Sequence, residues 1–142
     1  MAQRMTKREY EHFLLDRART ATLATVRADG RPHAAPIWFD LDGDKFVFTT
    51  GEATVKGRNM RRDQRVSLCI DDEEPPFHFA IIEGTAELID GDPDLLHWAT
   101  RIGGRYMGPD RADEYGQRNA VTGELLVRVT PHKILAFKNV SG

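Results

Sequence analysis

The chain has 142 residues, of which 40% are hydrophobic and 30% charged, and its net charge is −2. This composition is typical of a globular protein, so we expect residues 1–142 to form a single domain. The slight excess of acid is unlike a general nucleic-acid-binding domain, and no apolar stretch reaches the roughly 18 residues of a membrane span, so neither nucleic acid nor membrane is expected as a partner.

The first third of the chain has the pattern of a helix followed by strands. Thr6 and Glu9 have the spacing of a capping box, which predicts an amphipathic helix over residues 6–17. Three strand-like runs follow between residues 20 and 50, joined by two Asp-Gly turns. We therefore expect an antiparallel three-stranded meander.

The middle of the chain predicts two more strands. Residues 66–70 form a short apolar run, and an acidic, proline-containing loop separates it from residues 77–88. The second segment alternates strictly between two faces, and Gly84 interrupts it as a bend. A long bent strand of this kind is typical of a barrel wall.

The last third predicts helices and then strands. Asp92 and Pro93 are read as an N-cap and first helical residue of a helix that runs to about residue 106, and residues 110–120 predict a second short helix. The end of the chain reads as two strands broken at Pro131. The predicted fold is α+β and mainly β: a six-stranded antiparallel split β-barrel with short helices.

A basic segment follows the strand that ends at Thr49 and Thr50. Residues 56–65 carry five cations against a single acid, namely Lys56, Arg58, Arg61, Arg62 and Arg65 against Asp63. Threonine hydroxyls and the free N–H groups at a helix start are suited to hold a phosphate, where the helix dipole also favours an anion. The alternative is a solvated helix with a basic face.

Motifs for catalysis by the protein itself are missing from the sequence. The five histidines are scattered and there is one cysteine, so no metal site is expected and no catalytic residue is identified. An enzyme with this sequence would depend on a bound cofactor for its chemistry. The polar N-terminus and the lone cysteine favour a cytoplasmic protein.

Three segments in order resemble one known family. LATVRADGRPHAAPIWF, FVFTTGEATVKGRNMRRDQRVSLCID and the strand with EGTAEL are similar to the flavin-binding split barrels related to pyridoxamine 5′-phosphate oxidase. The run KGRNMRRD followed by RVSL resembles the branch that uses the deazaflavin coenzyme F-420, as does RYMG with Tyr115 downstream. The resemblance extends from about residue 8 to residue 137.

The resemblance implies a set of cofactor-binding residues. The ring would pack on the strand with Pro36, Ile37 and Trp38, although Trp38 also suits a core position. The remaining implied contacts are Thr49 and Thr50 at the ring and phosphate edge, Lys56 as the main phosphate ligand, Arg58 and Arg61 as further cations, and Phe77 and His78 from the partner chain of a homodimer.

The function implied by the resemblance is that of a coenzyme F-420-dependent oxidoreductase. Reduced deazaflavin would pass a hydride to an electron-poor small molecule of the enone, quinone or tetrapyrrole type. The proton would come from solvent or from Tyr106, Tyr115 or His78. Two alternatives stay open, an FMN-dependent oxidoreductase of the same fold and a non-catalytic flavin- or haem-binding protein.

Overall fold

A computed structural model describes residues 2–142, which form an antiparallel sheet and four short helices. The strands are β1 (Gln3–Arg4), β2 (Ala21–Val26), β3 (Pro32–Ile37), β4 (Asp40–Asp42), β5 (Lys45–Gly51), β6 (Arg65–Asp71), β7 (Phe79–Ile89) and β8 (Glu124–Lys138). The helices are α1 (Lys7–Leu15), α2 (Val55–Arg62), α3 (Leu95–Met107) and α4 (Ala112–Asn119), and a 3₁₀ turn covers Pro109–Arg111.

The connection from β3 to β4 shows that the sheet closes on itself. The strands pair in the order β3-β2-β6-β7-β8-β5-β4, with β1 paired to the end of β8. Only Trp38 and Phe39 separate β3 from β4, the two ends of this order. Three peptide steps span at most about 11 Å, whereas the end strands of a flat seven-stranded sheet lie roughly 29 Å apart. The sheet must therefore curl, and the predicted mainly-β antiparallel barrel is confirmed.

Apolar side chains fill the barrel because they alternate along its strands. In β6 the buried residues are Val66, Leu68 and Ile70, and their neighbours point outward. In β5, Phe46, Val47 and Phe48 are all buried, because α3 covers the outer face of this strand and packs Trp98 against Val47. The helix α3 thus seals one side of the barrel beside the start of β8.

The helices α3 and α4 pack unusually close together. A Cβ on Gly116 would lie 2.0 Å from the Thr100 hydroxyl oxygen, and one on Gly103 would lie 2.5 Å from the Tyr115 Cβ. Glycine at these positions lets the two helices meet, which brings the end of α4 toward β3 and β8. None of the helices within residues 2–142 is long and apolar enough to cross a membrane.

The structure confirms two predictions that depend on local sequence signals. Thr6 accepts the Glu9 N–H and Glu9 accepts the Thr6 N–H, so the predicted capping box is confirmed. The predicted bend at Gly84 is a β-bulge, and a Cβ there would lie 2.5 Å from the Thr130 carbonyl oxygen. The bulge thus lies where β7 and β8 approach too closely for a side chain.

The predicted strand count and meander need correction. The described residues contain eight strands and not six. Strands β1 and β4 were not predicted, because they have only two and three residues and are too short to show periodicity. The first and second Asp-Gly turns do form hairpins, β2–β3 and β4–β5. However, β3 does not pair with β4 or β5, since the chain leaves the sheet at Trp38 and Phe39 and rejoins it at the other end.

Three element boundaries also differ from the prediction. Strand β7 begins at Phe79, because Phe77 adopts a left-handed φ of 59°. Helix α3 begins after Asp94, since the Asp92 carboxylate accepts the Asp94 N–H and binds Arg128 instead of capping the helix. The predicted break at Pro131 is wrong: β8 is continuous, and Pro131 lies opposite the Gly84 bulge.

Candidate functional site

A cleft of about 440 Å³ lies where β3, β5, α2, α3, α4 and the start of β8 meet. Five of the predicted cofactor-binding residues line it, and the structure adds four more. The lining residues are Thr20, Pro36, Ile37, Trp38, Thr49, Lys56, Ile102, Asn119 and Glu124. One wall of the cleft is apolar, and the opposite end is polar.

The apolar wall is held rigidly in place by α3. The Trp38 ring stacks on the Tyr106 ring at a centroid distance of 4.9 Å and an interplanar angle of 3°. The Tyr106 hydroxyl accepts the Phe39 N–H (3.1 Å), and the Arg105 guanidinium donates to the Phe39 carbonyl (2.5 Å). Both backbone polar groups of Phe39, in the link between β3 and β4, are therefore hydrogen-bonded to side chains of α3. These bonds and the ring stack hold the neighbouring Trp38 at the cleft.

The hydrogen bonds of Tyr106 leave it no proton to donate to a ligand. Its hydroxyl donates to the Arg19 carbonyl at 2.6 Å while it accepts from Phe39. Burial raises the pKa of Tyr106, and this outweighs the lowering effect of the Phe39 N–H and of Arg105. Tyr106 was one of the proton donors considered from the sequence. The structure instead places it as a support for the Trp38 ring.

The polar end of the cleft is built around the start of α2. Thr54 caps this helix: its hydroxyl accepts the Gly57 N–H (3.1 Å) and donates to the Gly51 carbonyl (2.8 Å). The Thr50 hydroxyl lies 3.1 Å from that of Thr54 and is buried. Adjacent strand residues face opposite ways, so Thr49 lines the cleft and Thr50 supports the cap from behind.

Lys56 and Glu124 are the charged residues of the cleft. Lys56 lies in the first turn of α2 and forms no direct ion pair with a described residue. Burial raises the pKa of the Glu124 carboxyl, while the Thr49 hydroxyl and the charge of Lys56 oppose that shift. An unpaired ammonium at a helix start, next to a hydroxyl, is chemically suited to a phosphate.

The other cations of the basic segment point away from Lys56. Arg61 binds Asp90 at 2.5 Å and lies 3.9 Å from Glu52. Arg62 donates to the Val26 carbonyl (2.6 Å) on the opposite side of α2. Arg58 is exposed and forms no ion pair with a described residue. The structure therefore brings Lys56 into the cleft, leaves Arg58 exposed on α2 outside it, and places Arg61 in a surface ion pair.

Phe77 and His78 lie outside this cleft. Both belong to the loop before β7, where Phe77 is 39% exposed. The His78 Nδ1 accepts the Asn139 N–H (3.1 Å), and His78 borders a separate cavity of about 540 Å³ with Glu9 and Lys138. Their contribution to a partner's pocket stays a prediction. Within residues 2–142 no group of three or more His, Cys, Asp or Glu side chains is arranged to hold a metal ion.

Sequence reasoning missed four lining residues of the cleft and the supporting contacts of two residues in α3. Thr20, Asn119 and Glu124 lie at or next to the ends of β2, α4 and β8, and no local motif marks such positions as part of a site. Ile102 fits an ordinary helix face. Arg105 and Tyr106 did carry a signal, because they belong to the RYMG segment, but their contacts with Phe39 could not be read from it.

The family profile described as pyridoxamine 5′-phosphate oxidase matches residues 6–138, which is nearly the whole chain. The chain belongs to the pyridoxamine 5′-phosphate oxidase family. It is 28% identical over 123 residues to a 5a,11a-dehydrotetracycline/5a,11a-dehydrooxytetracycline reductase of Streptomyces rimosus, over 81% of this chain and 71% of that protein.

Two solved structures of the same fold are also similar. A conserved hypothetical protein of Mycobacterium tuberculosis superposes with a TM-score of 0.83 at 26% identity, over 95% of this chain and 86% of that one. An F-420 reductase superposes with a TM-score of 0.67 at 28% identity, over 87% of this chain and 94% of that one. This member of the pyridoxamine 5′-phosphate oxidase family thus has two reductases among its relatives.

Proposed function

We propose that this protein is a coenzyme F-420-dependent oxidoreductase that reduces an electron-poor organic acceptor of the enone, quinone or tetrapyrrole type. The observation that carries the proposal is the cleft itself: a rigid apolar wall at one end and the unpaired Lys56 at the start of α2 at the other. Similarity to two reductases supports the reaction class, and one of them is an F-420 reductase.

The donor set of the cleft fits a flavin-type cofactor. Pro36, Ile37 and Trp38 would hold the tricyclic ring, and Thr49 and Lys56 would hold the phosphate. Arg58, exposed on the same helix, would meet the acidic tail that the deazaflavin coenzyme carries beyond its phosphate. When bound, the reduced coenzyme supplies a hydride at its ring carbon.

The residues of the chain contribute position and a dry environment. The stack of Trp38 on Tyr106 fixes the angle of the wall, and Ile102 faces the same space from α3. Holding two reactants in one geometry and excluding water lowers the barrier without an acid or base from the protein. Because the Tyr106 hydroxyl is occupied and His78 lies outside the cleft, the proton for the product would come from solvent or from Tyr115.

The cofactor assignment depends on charge outside the cleft. FMN ends at one phosphate, for which Lys56 alone is sufficient, whereas the deazaflavin coenzyme continues into a polyanionic tail. With Arg61 paired to Asp90 and Arg62 bound to Val26, Arg58 is the cation of α2 left to meet that tail. The preference for F-420 over FMN should therefore be moderate, and it should shrink as salt screens exposed charge over about 8–10 Å.

We also propose that the protein is a homodimer whose pocket is completed by the partner's copy of the loop with Phe77. An exposed aromatic residue in a left-handed conformation at a loop tip is suited to insert into a neighbouring surface. Sedimentation should show a dimer. A stable monomer that binds the cofactor with full affinity would contradict this.

Parallel titrations with coenzyme F-420 and FMN, followed by ring fluorescence at two ionic strengths, test the cofactor proposal. Tighter binding of F-420, with a smaller advantage at high salt, is expected. FMN that co-purifies stoichiometrically and is not displaced by the deazaflavin would overturn the assignment. Reduction of a quinone or enone by the loaded protein separates an enzyme from a non-catalytic flavin- or haem-binding protein.

A further inference from the structure

The cleft contains a carboxylate at the end where an anion is expected. Glu124 is its acidic lining residue and Lys56 its cationic one, so their charges cancel when both are ionised. A site that binds a phosphate is usually positive, and a second fixed anion at the same end opposes binding. Glu124 therefore requires an explanation within the site.

Backbone geometry fixes where the Glu124 carboxylate lies. Glu124 is the first residue of β8, it is paired with Gly51, and its N–H donates to the Val121 carbonyl (3.0 Å). A Cβ added to Gly51 would lie 3.7 Å from the Glu124 Oε1 and 3.4 Å from the Thr54 Cγ2. The carboxylate thus lies over Gly51, beside the residue that caps α2.

The position beside the α2 cap is the one that favours an anion most. The helix dipole and the orphan N–H groups of the first turn stabilise negative charge there. Lys56 adds its charge from the same turn, and the Thr49 hydroxyl lies close enough to stabilise the carboxylate. Glu124 is the acidic lining residue of the cleft, and its carboxylate lies beside this position.

We propose that Glu124 determines the specificity of the cleft by competing, as an internal anion, with the phosphate of an incoming ligand for Lys56 and the start of α2. The proposal rests on the proposed function, in which that ligand is a flavin-type cofactor. Binding an anion beside Glu124 disfavours its ionised form, so binding is coupled to proton uptake by the carboxylate.

The sign of the pH dependence follows from the groups around Glu124. The charged group that faces it in the cleft is Lys56 from α2. The other cleft residues near it, Thr49 of β5 and Asn119 of α4, do not titrate in this range, and Glu52 lies outside the cleft and is exposed. Cofactor affinity should therefore be highest at acidic pH and fall as pH rises through the raised pKa of Glu124.

The test compares wild type, Glu124→Gln and Glu52→Gln from pH 5 to pH 8.5 at constant ionic strength. Binding is measured by coenzyme F-420 fluorescence, with FMN as a second ligand. Glu52→Gln is the matched control, because it removes the same charge next to α2 but outside the cleft. At pH 8, Glu124→Gln should bind F-420 about 10-fold more tightly than wild type, and this advantage should shrink as pH falls toward 5, whereas Glu52→Gln should follow wild type.

A second probe separates this inference from the proposed function. Sulfate, whose charge is constant over this range, is titrated while the melting temperature is followed, and Glu124→Ser repeats the test should the Gln variant misfold. If neither F-420 nor FMN binds but Glu124→Gln strengthens sulfate binding at pH 8, the proposed function fails and the role of Glu124 stands. Unchanged or weaker binding of every anion by Glu124→Gln overturns the role of Glu124.

Discussion

Lys56→Ala gives the sharpest test of the cleft as a cofactor site. The Lys56 side chain is partly buried at the start of α2, where the Glu124 carboxylate is its charged neighbour in the cleft, and its loss removes a donor that can reach a ligand. A hydrogen bond to a charged group contributes roughly 1.5–3 kcal/mol, which corresponds to about 10- to 150-fold weaker cofactor binding. Stability should change by only a few tenths of a kcal/mol.

Arg62→Ala is the control for the Lys56 substitution. It removes a cation from the same helix, but one whose guanidinium donates to the Val26 carbonyl (2.6 Å) and the Asn59 side chain (3.0 Å). Its effect on cofactor affinity should stay below about 3-fold, while the melting temperature falls. Both properties are measured on each variant, by fluorescence titration and by thermal unfolding. Equal and small affinity losses in the two variants would mean that the basic segment is only a solvated face.

Three further outcomes are expected. Tyr106→Phe should keep the stack but lose the hydrogen bonds of the hydroxyl, lowering stability by about 1–3 kcal/mol in denaturant titrations and broadening the near-UV signal of Trp38. Gly84→Ala should lower the free energy of unfolding by about 1–3 kcal/mol through its clash with Thr130, which thermal or denaturant unfolding would measure. Contact with Lys138 and the Thr6 N–H lowers the pKa of Glu9 to about 2. The ionised Glu9 therefore stabilises the fold above its unfolded pKa of 4.5, and this contribution should be lost as pH falls to 2. Glu9→Gln should remove this pH dependence of unfolding.

Much of the fold was predictable because its signals are local. The capping box of Thr6 and Glu9 and the bend at Gly84 depend on a few neighbouring residues, and both were read correctly. The start of α3 was misplaced because Asp92 binds Arg128, 36 positions away. The predicted meander was wrong for a similar reason: a turn predicts a hairpin, but it does not determine which strands lie on the outer sides of that hairpin.

The candidate site could be predicted only in part. Thr49 and Lys56 stand at the ends of readable elements, and the structure places both in the cleft. The sequence could not separate Arg61, which is bound to Asp90 at a distance of 29 residues along the chain, from a cation that is free. Glu124 gave no signal at all, since its place beside α2 results from the pairing of β8 with β5.

The position of β8 in the sheet has a consequence for how the protein is made. This strand lies between β7 and β5 and also receives β1, so it joins segments that the ribosome synthesises at very different times. Until Glu124–Lys138 has emerged from the exit tunnel, β5 and β7 both present unpaired edges, and the barrel has no way to close. We expect folding to be slow, governed by non-local pairing, and completed only once β8 is available to pair. In this interval the nascent chain is open to edge-to-edge association and most in need of a chaperone.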